Sequence, residues 1–89
     1  MYNLNNTFLK FAKLGNYEMT LLCLEQGASV HDNYAIRGAA ENGHLDVCKL
    51  LIEHGANVTA DDNWAIRYAA HNGHLEVVAY LEGLKWKLK

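Results

Sequence analysis

Two stretches of this 89-residue chain are near copies of each other, displaced by 30 residues. The hexapeptide DNYAIR at 32–37 returns as DNWAIR at 62–67, and AAENGHL at 39–45 returns as AAHNGHL at 69–75. A fixed period of roughly 20 to 50 residues is typical of proteins built from stacked supersecondary units. Because one such unit is too short to bury its own apolar face, the sequence predicts a stack of units rather than a single closed core.

A fainter copy of the repeat lies upstream. Residues 14–18 (LGNYE) align with 42–46 (NGHLD), and residues 25–30 (EQGASV) align with 53–58 (EHGANV), at an offset of 28. Three units of about 5–31, 32–60 and 61–89 therefore cover almost the whole chain, with degenerate first and last members, as expected of terminal repeats. At this length we expect one domain spanning residues 1–89.

Each unit is predicted to form two short helices. In the middle unit the first helix is expected over 34–41, with Asp32 or Asn33 as its N-cap. Gly43 is expected to end it, because glycine readily adopts the left-handed conformation that closes many helices. The second helix is expected over 45–54, where apolar residues follow a helical spacing up to Gly55. The pattern predicts an all-α solenoid of three helix-turn-helix repeats.

These residues resemble the ankyrin repeat family. The matching segments are residues 39–40, 42–47 and 50–58 in the middle unit, and 69–70 and 73–78 in the third. The resemblance extends over nearly the full chain and implies an ankyrin-like stack. It also implies that His44 and His74, which recur at one position of the repeat, form hydrogen bonds between units.

The first departure from the family pattern is at the start of each first helix. YAIR at 34–37 and WAIR at 64–67 stand where the family has Thr-Pro-Leu-His, so the hydrogen bond between that threonine and histidine cannot form. We expect each aromatic residue to pack instead on the arginine three residues later, with cation–π character. The predicted pairs are Tyr34 with Arg37 and Trp64 with Arg67.

The second departure is in the connectors between units. The connectors at residues 27–33 and 55–63 are several residues shorter than the β-hairpin fingers of the family, so we expect tight, shortened loops. Short-connector repeats with this pattern are similar to those of giant DNA viruses and some protists.

Composition and spacing give little support for catalysis or for binding of anything but protein. A net charge of −2 lacks the basic surplus typical of nucleic-acid binding, and no apolar run reaches the roughly 20 residues of a membrane span.

Cys23 and Cys48 lie on apolar helical stripes without the oriented base that a nucleophile needs. A zinc site using His44 and Cys48 is a weaker interpretation than hydrogen bonding and core packing. We predict no catalytic residue, cofactor or metal, no nucleic-acid or membrane partner, and a reducing cytoplasmic location, with the nucleus as alternative.

The family resemblance implies a protein interaction module, an adaptor or scaffold whose partner docks on a concave face of first helices and on the connector tips. The expected partner-binding residues are Lys13, Asn33, Tyr34, Glu41, Asn42, Asn63, Trp64, His71 and Asn72. They combine aromatic anchors with adaptable polar groups, which is common at protein interfaces. Partner identity does not follow from a fold.

Three alternatives stay open at this point. Tyr34 and Trp64 can pack between units instead of facing a partner, and Asn33 and Asn63 can serve only as helix caps. The chain, expected to be a monomer, can alternatively be a self-assembling structural unit that forms a homo-oligomer through apolar end layers. The basic segment 85–89 is interpreted as a solvated helix end, with an acidic partner or a membrane surface as alternatives.

Overall fold

The fold consists of six helices in chain order. A computed structural model describes residues 3–30 and 33–87, with backbone only at positions 61 and 85–87. The helices are α1 (Leu4–Leu14), α2 (Tyr17–Glu25), α3 (Tyr34–Glu41), α4 (Leu45–Glu53), α5 (Ala60–His71) and α6 (Leu75–Lys87). The described residues contain no strand, and the α4–α5 connector is a short loop, which confirms the predicted all-α repeat fold with shortened connectors. None of the described helices is long and apolar enough to cross a membrane.

The helices are arranged as three stacked pairs. The first helices of the units, α1, α3 and α5, pack side by side, and the second helices lie behind them with sparser contacts to one another. Apolar side chains from both helices of each unit are buried between the layers, and the largest fully buried ones are Phe8, Ile36, Leu51, Leu81, Val47 and Val77. The core is therefore continuous through the stack, and each layer depends on its neighbours for burial.

A glycine in the left-handed conformation follows each first helix. The values of φ are 77° at Gly15, 78° at Gly43 and 77° at Gly73. After Gly43, the backbone N–H of His44 donates to the carbonyl of Ala39 at 2.9 Å, and the N–H of His74 donates to Ala69 at the same distance. These bonds satisfy carbonyls that a helix end leaves without partners, so the predicted role of Gly43 as a terminator is confirmed.

Asn33 is the N-cap residue of α3 as predicted, but the predicted side-chain capping bond and the cap at Asn63 are wrong. Asn33 precedes α3 with a φ of 68°, and its side chain makes no capping hydrogen bond. In the third unit α5 already begins at Ala60, so Asn63 lies inside the helix, where it has a φ of 61° beside Asp62 at 60°. Asparagine and aspartate tolerate this conformation better than other non-glycine residues, which accounts for their place before each aromatic residue. Asp32, the other predicted cap, lies outside the described residues.

The last helix runs through Gly83 to Lys87 and is longer than its counterpart α4. Gly83 therefore lies within a helix rather than after one. The predicted solvated end at 85–89 involves side chains outside the described residues.

Gly83→Ala is expected to raise the free energy of unfolding by about 0.5–1 kcal/mol, because alanine loses less backbone entropy than glycine in a helix. A Cβ built on Gly83 meets no described atom within 4 Å, so the added methyl group has space. Urea denaturation of the two proteins measures the difference. A loss of stability would show that position 83 does not keep a helical backbone in solution.

Candidate partner-binding surface

The predicted aromatic anchors occupy equivalent places in two successive layers but differ in burial. Tyr34 is the first residue of α3 and is 58% exposed. Trp64 has the equivalent position in the repeat, although α5 already begins at Ala60, and it is half-buried. Both alternatives considered for these residues are therefore realised, because Tyr34 faces solvent and Trp64 packs between units.

Arg37 lies between the two aromatic rings. Its Cζ atom is 4.9 Å from the centroid of the Tyr34 ring and 3.6 Å from that of Trp64. The predicted pairing of Tyr34 with Arg37 is confirmed, and the pairing of Trp64 with Arg67 is present at 6.0 Å, the outer limit for such contacts. The shortest contact, Arg37 with Trp64, joins the second unit to the third and was not predicted.

The aromatic contacts continue along α5. The rings of Trp64 and Tyr68 stack with centroids 4.4 Å apart at 19°, and Tyr68 meets His71 edge-on at 6.4 Å. We call the set Tyr34, Arg37, Trp64, Tyr68 and His71 the aromatic strip. Sequence reasoning missed Tyr68, although its position four residues after Trp64 places both rings on one helix face.

The predicted site residues Asn42 and Asn72 both donate side-chain hydrogen bonds to the backbone, but only Asn72 does so between units. The side-chain amide of Asn72 donates to the backbone carbonyl of Glu41 at 2.9 Å, across the boundary between units. The side-chain amide of Asn42 instead donates to the carbonyl of Gly38 at 2.8 Å, within its own unit. Their side chains are exposed apart from these bonds, so both remain candidates for partner contact.

Lys13 and Glu41 occupy equivalent positions two residues before a turn glycine. The ring Nε2 of His44 lies 2.9 Å from the backbone carbonyl of Lys13, which confirms the predicted hydrogen bond of His44 between units. The backbone carbonyl at this position thus accepts a hydrogen bond from the following unit at both interfaces, in Lys13 at the first and in Glu41 at the second. The side chain of Lys13 is exposed at the end of α1.

Two buried polar atoms lie at Trp64 of the aromatic strip and at its neighbour Asn63. Asn63 Oδ1 and Trp64 Nε1 have no hydrogen-bond partner among the described residues. A buried polar group without a partner destabilises a fold by roughly 1–3 kcal/mol. Trp64 therefore stabilises the fold through its ring face rather than through its N–H group.

The cysteines behave as apolar core residues. Burial raises the pKa of the Cys48 thiol to about 12, with a further contribution from the carboxylate of Asp46. A thiol with this pKa stays protonated at neutral pH and is a poor nucleophile. Among the described residues, no three His, Cys, Asp or Glu side chains are close enough together to hold a metal ion.

Comparison with known proteins shows a family match and a similar viral protein. A family model described as ankyrin repeats (3 copies) matches residues 8–85 of the chain. An ankyrin repeat protein of fowlpox virus (strain NVSL) is 41% identical over 61 residues. That alignment covers 63% of this chain and 14% of the fowlpox protein. The resemblance predicted from the sequence, including its viral character, is confirmed.

Proposed function

The chain belongs to the ankyrin repeat family, and because ankyrin repeats are in general protein–protein interaction modules, we propose that it is an adaptor or scaffold that binds a partner protein through the aromatic strip. Proteins of this family are typically non-enzymatic, and the proposed role needs no cofactor. Lys13, Glu41, Asn42 and Asn72 lie on the same first helices and their turns and are proposed to contribute the polar rim.

The exposed ring of Tyr34 beside Arg37 supports this proposal most directly. Tyrosine, tryptophan and arginine are the residues that most often dominate the binding energy of protein interfaces. Here Arg37 contacts the rings of both Tyr34 and Trp64, and Tyr34 is 58% exposed. Arg37 is fixed between two rings before any partner arrives, so less side-chain entropy is lost on binding than for a mobile arginine.

A photo-crosslinking amino acid at position 34 tests the proposal. We expect adducts with a partner protein from position 34 and none from position 53, because Glu53 is an exposed residue of the second-helix layer and serves as the matched control. Tyr34→Ala is expected to weaken capture of the same partner by about tenfold or more. Equal adducts from both positions, or an unchanged affinity of Tyr34→Ala, would place binding elsewhere.

A further inference from the structure

The second and third units differ at the position four residues after their aromatic residue. The third unit has Tyr68 there, and its ring stacks on Trp64 with the centroids 4.4 Å apart. The second unit has Gly38 at this position. Residues four apart lie on the same face of a helix, so the second unit has no side chain at the place where the Tyr68 ring lies in the third. The ring of Tyr34, which is 58% exposed, borders this place.

Neither backbone conformation nor crowding requires glycine at position 38. Gly38 lies inside α3, and it is not among the glycines with a positive φ. A Cβ atom built on Gly38 would be 3.4 Å from Cβ and 3.7 Å from Cγ of Lys13, which is ordinary packing distance. Glycine in the interior of a helix lowers stability relative to alanine. Its effect at position 38 is therefore to leave space beside the side-chain stem of Lys13.

We call the set Lys13, Tyr34 and Gly38 the Gly38 notch. It lies at the middle layer of the stack, where α3 packs on α1 at one side and on α5 at the other. One wall is an exposed aromatic ring, and the other is the stem of a lysine whose side chain is also exposed. A flat apolar group with a charged neighbour matches such walls, because a ring can stack on Tyr34 and pack on methylene groups at the same time.

The charges around the Gly38 notch are mainly positive. Lys10 and Lys13 are both exposed on α1. The helices α1 and α3 together carry three cationic side chains and one carboxylate, namely Lys10, Lys13, Arg37 and Glu41. The second helices α2 and α4 have the opposite balance, with one lysine and four carboxylates, namely Lys49, Glu18, Glu25, Asp46 and Glu53. An acidic segment is therefore attracted to the side of the notch and repelled from the second helices.

We propose that the Gly38 notch binds an aromatic side chain of the partner protein that is flanked by acidic residues. The ring stacks on the exposed part of the Tyr34 ring, in the way that Tyr68 stacks on Trp64 one layer later. The flanking carboxylates pair with the ammonium groups of Lys10 and Lys13. The inference rests on the proposed function for the partner's being a protein, and it adds the chemistry of the segment that is recognised.

Three synthetic pentapeptides, each acetylated and amidated, test the proposal. Titrated into the isotope-labelled full chain, EDWDE is expected to shift the amide signals of residues 10–13 and 34–38 and to leave those of α6 unchanged. EDLDE lacks the ring and is expected to bind about fivefold more weakly. QNWNQ lacks the carboxylates and is expected to bind about threefold more weakly, and added salt is expected to reduce the difference between QNWNQ and EDWDE.

Two substitutions at position 38 form a matched pair. Gly38→Tyr fills the notch with a ring of the chain itself, so it is expected to weaken binding of EDWDE by about tenfold or more. Gly38→Ala adds only a methyl group, and its affinity is expected to stay within about twofold of the wild type. Both variants are expected to raise the urea midpoint, because each removes a glycine from the interior of a helix. A loss of binding in Gly38→Tyr is then not a loss of folding.

The lysines are tested by charge removal. Lys10→Gln with Lys13→Gln is expected to weaken binding of EDWDE by about fivefold and to leave the hydrogen bond from His44 in place, because that bond uses the backbone carbonyl of Lys13. Lys49→Gln removes an exposed cation from the second-helix layer and is expected to have no effect.

Three results would overturn the inference. They are equal affinities of the Gly38→Ala and Gly38→Tyr chains for EDWDE, equal binding of EDWDE and EDLDE, and equal binding of EDWDE and QNWNQ. If a partner forms adducts at position 34 and Gly38→Tyr leaves its capture unchanged, the inference fails while the proposed function stands.

Discussion

Gly43→Ala is expected to lower the free energy of unfolding by about 3 kcal/mol. Two effects add at this position. Alanine is strained at a φ of 78°, and the new Cβ would overlap the His74 ring, 2.5 Å from its Nδ1. The ring cannot move away without disturbing the contact between the second and third units. Urea denaturation, with an unchanged slope as the check on two-state behaviour, measures the loss.

Gly73→Ala is the matched control for this prediction. Its φ of 77° is almost the same, but no described atom lies within 4 Å of the added Cβ, so only the backbone strain of about 1 kcal/mol is expected. The difference between the two variants isolates the contact of the histidine ring with the preceding turn. If both variants lose the same stability, the ring contact contributes nothing and the account of the interface is wrong.

Trp64→Ala is expected to lower the free energy of unfolding by about 3 kcal/mol, at the lower end of the range for large aromatic residues because Trp64 is only half-buried. The substitution removes the ring that stacks on Tyr68 and covers Arg37. Trp64→Phe is expected to cost about 1 kcal/mol, since it keeps a ring face for Arg37 and deletes the Nε1 group that lacks a partner among the described residues.

A double-mutant cycle assigns part of this loss to the cation–π contact. Arg37→Met keeps the apolar length of the side chain and removes its charge, so it is expected to destabilise the wild type by about 1 kcal/mol. In the Trp64→Ala background the same change is expected to cost much less, because one ring is already absent. Additive losses in the cycle would show that the 3.6 Å contact carries no coupling energy.

The sequence predicted the helices of the middle unit well because its signals are local. Gly43 and Gly55 end helices through their own backbone freedom, and the observed α3 (Tyr34–Glu41) has the predicted bounds. The start of α5 was not predicted, since Asp62 and Asn63 have left-handed φ values that propensity does not reveal. The helical position of Gly83 was not predicted either, because a glycine in a sequence does not show whether it ends a helix or lies within one.

The aromatic strip was predicted only in part. The pairing of Tyr34 with Arg37 depends on spacing within one helix, which a sequence displays. The contact of Arg37 with Trp64 depends on how far successive layers are rotated and displaced, which a repeat length does not specify. Likewise, the sequence predicts Asn72 as an adaptable polar group of the interface, but its hydrogen bond to Glu41 depends on how the layers stack.

The unequal burial of Tyr34 and Trp64 has a consequence for how such a protein can diversify. Trp64 packs between two layers and belongs to the proposed binding surface, so natural selection cannot retune it for a new partner without also weakening the contact between those layers. Tyr34, at the same place one layer earlier, is 58% exposed, and a change there affects fewer packed neighbours. Related chains that acquire new partners are therefore expected to vary first at the site of Tyr34.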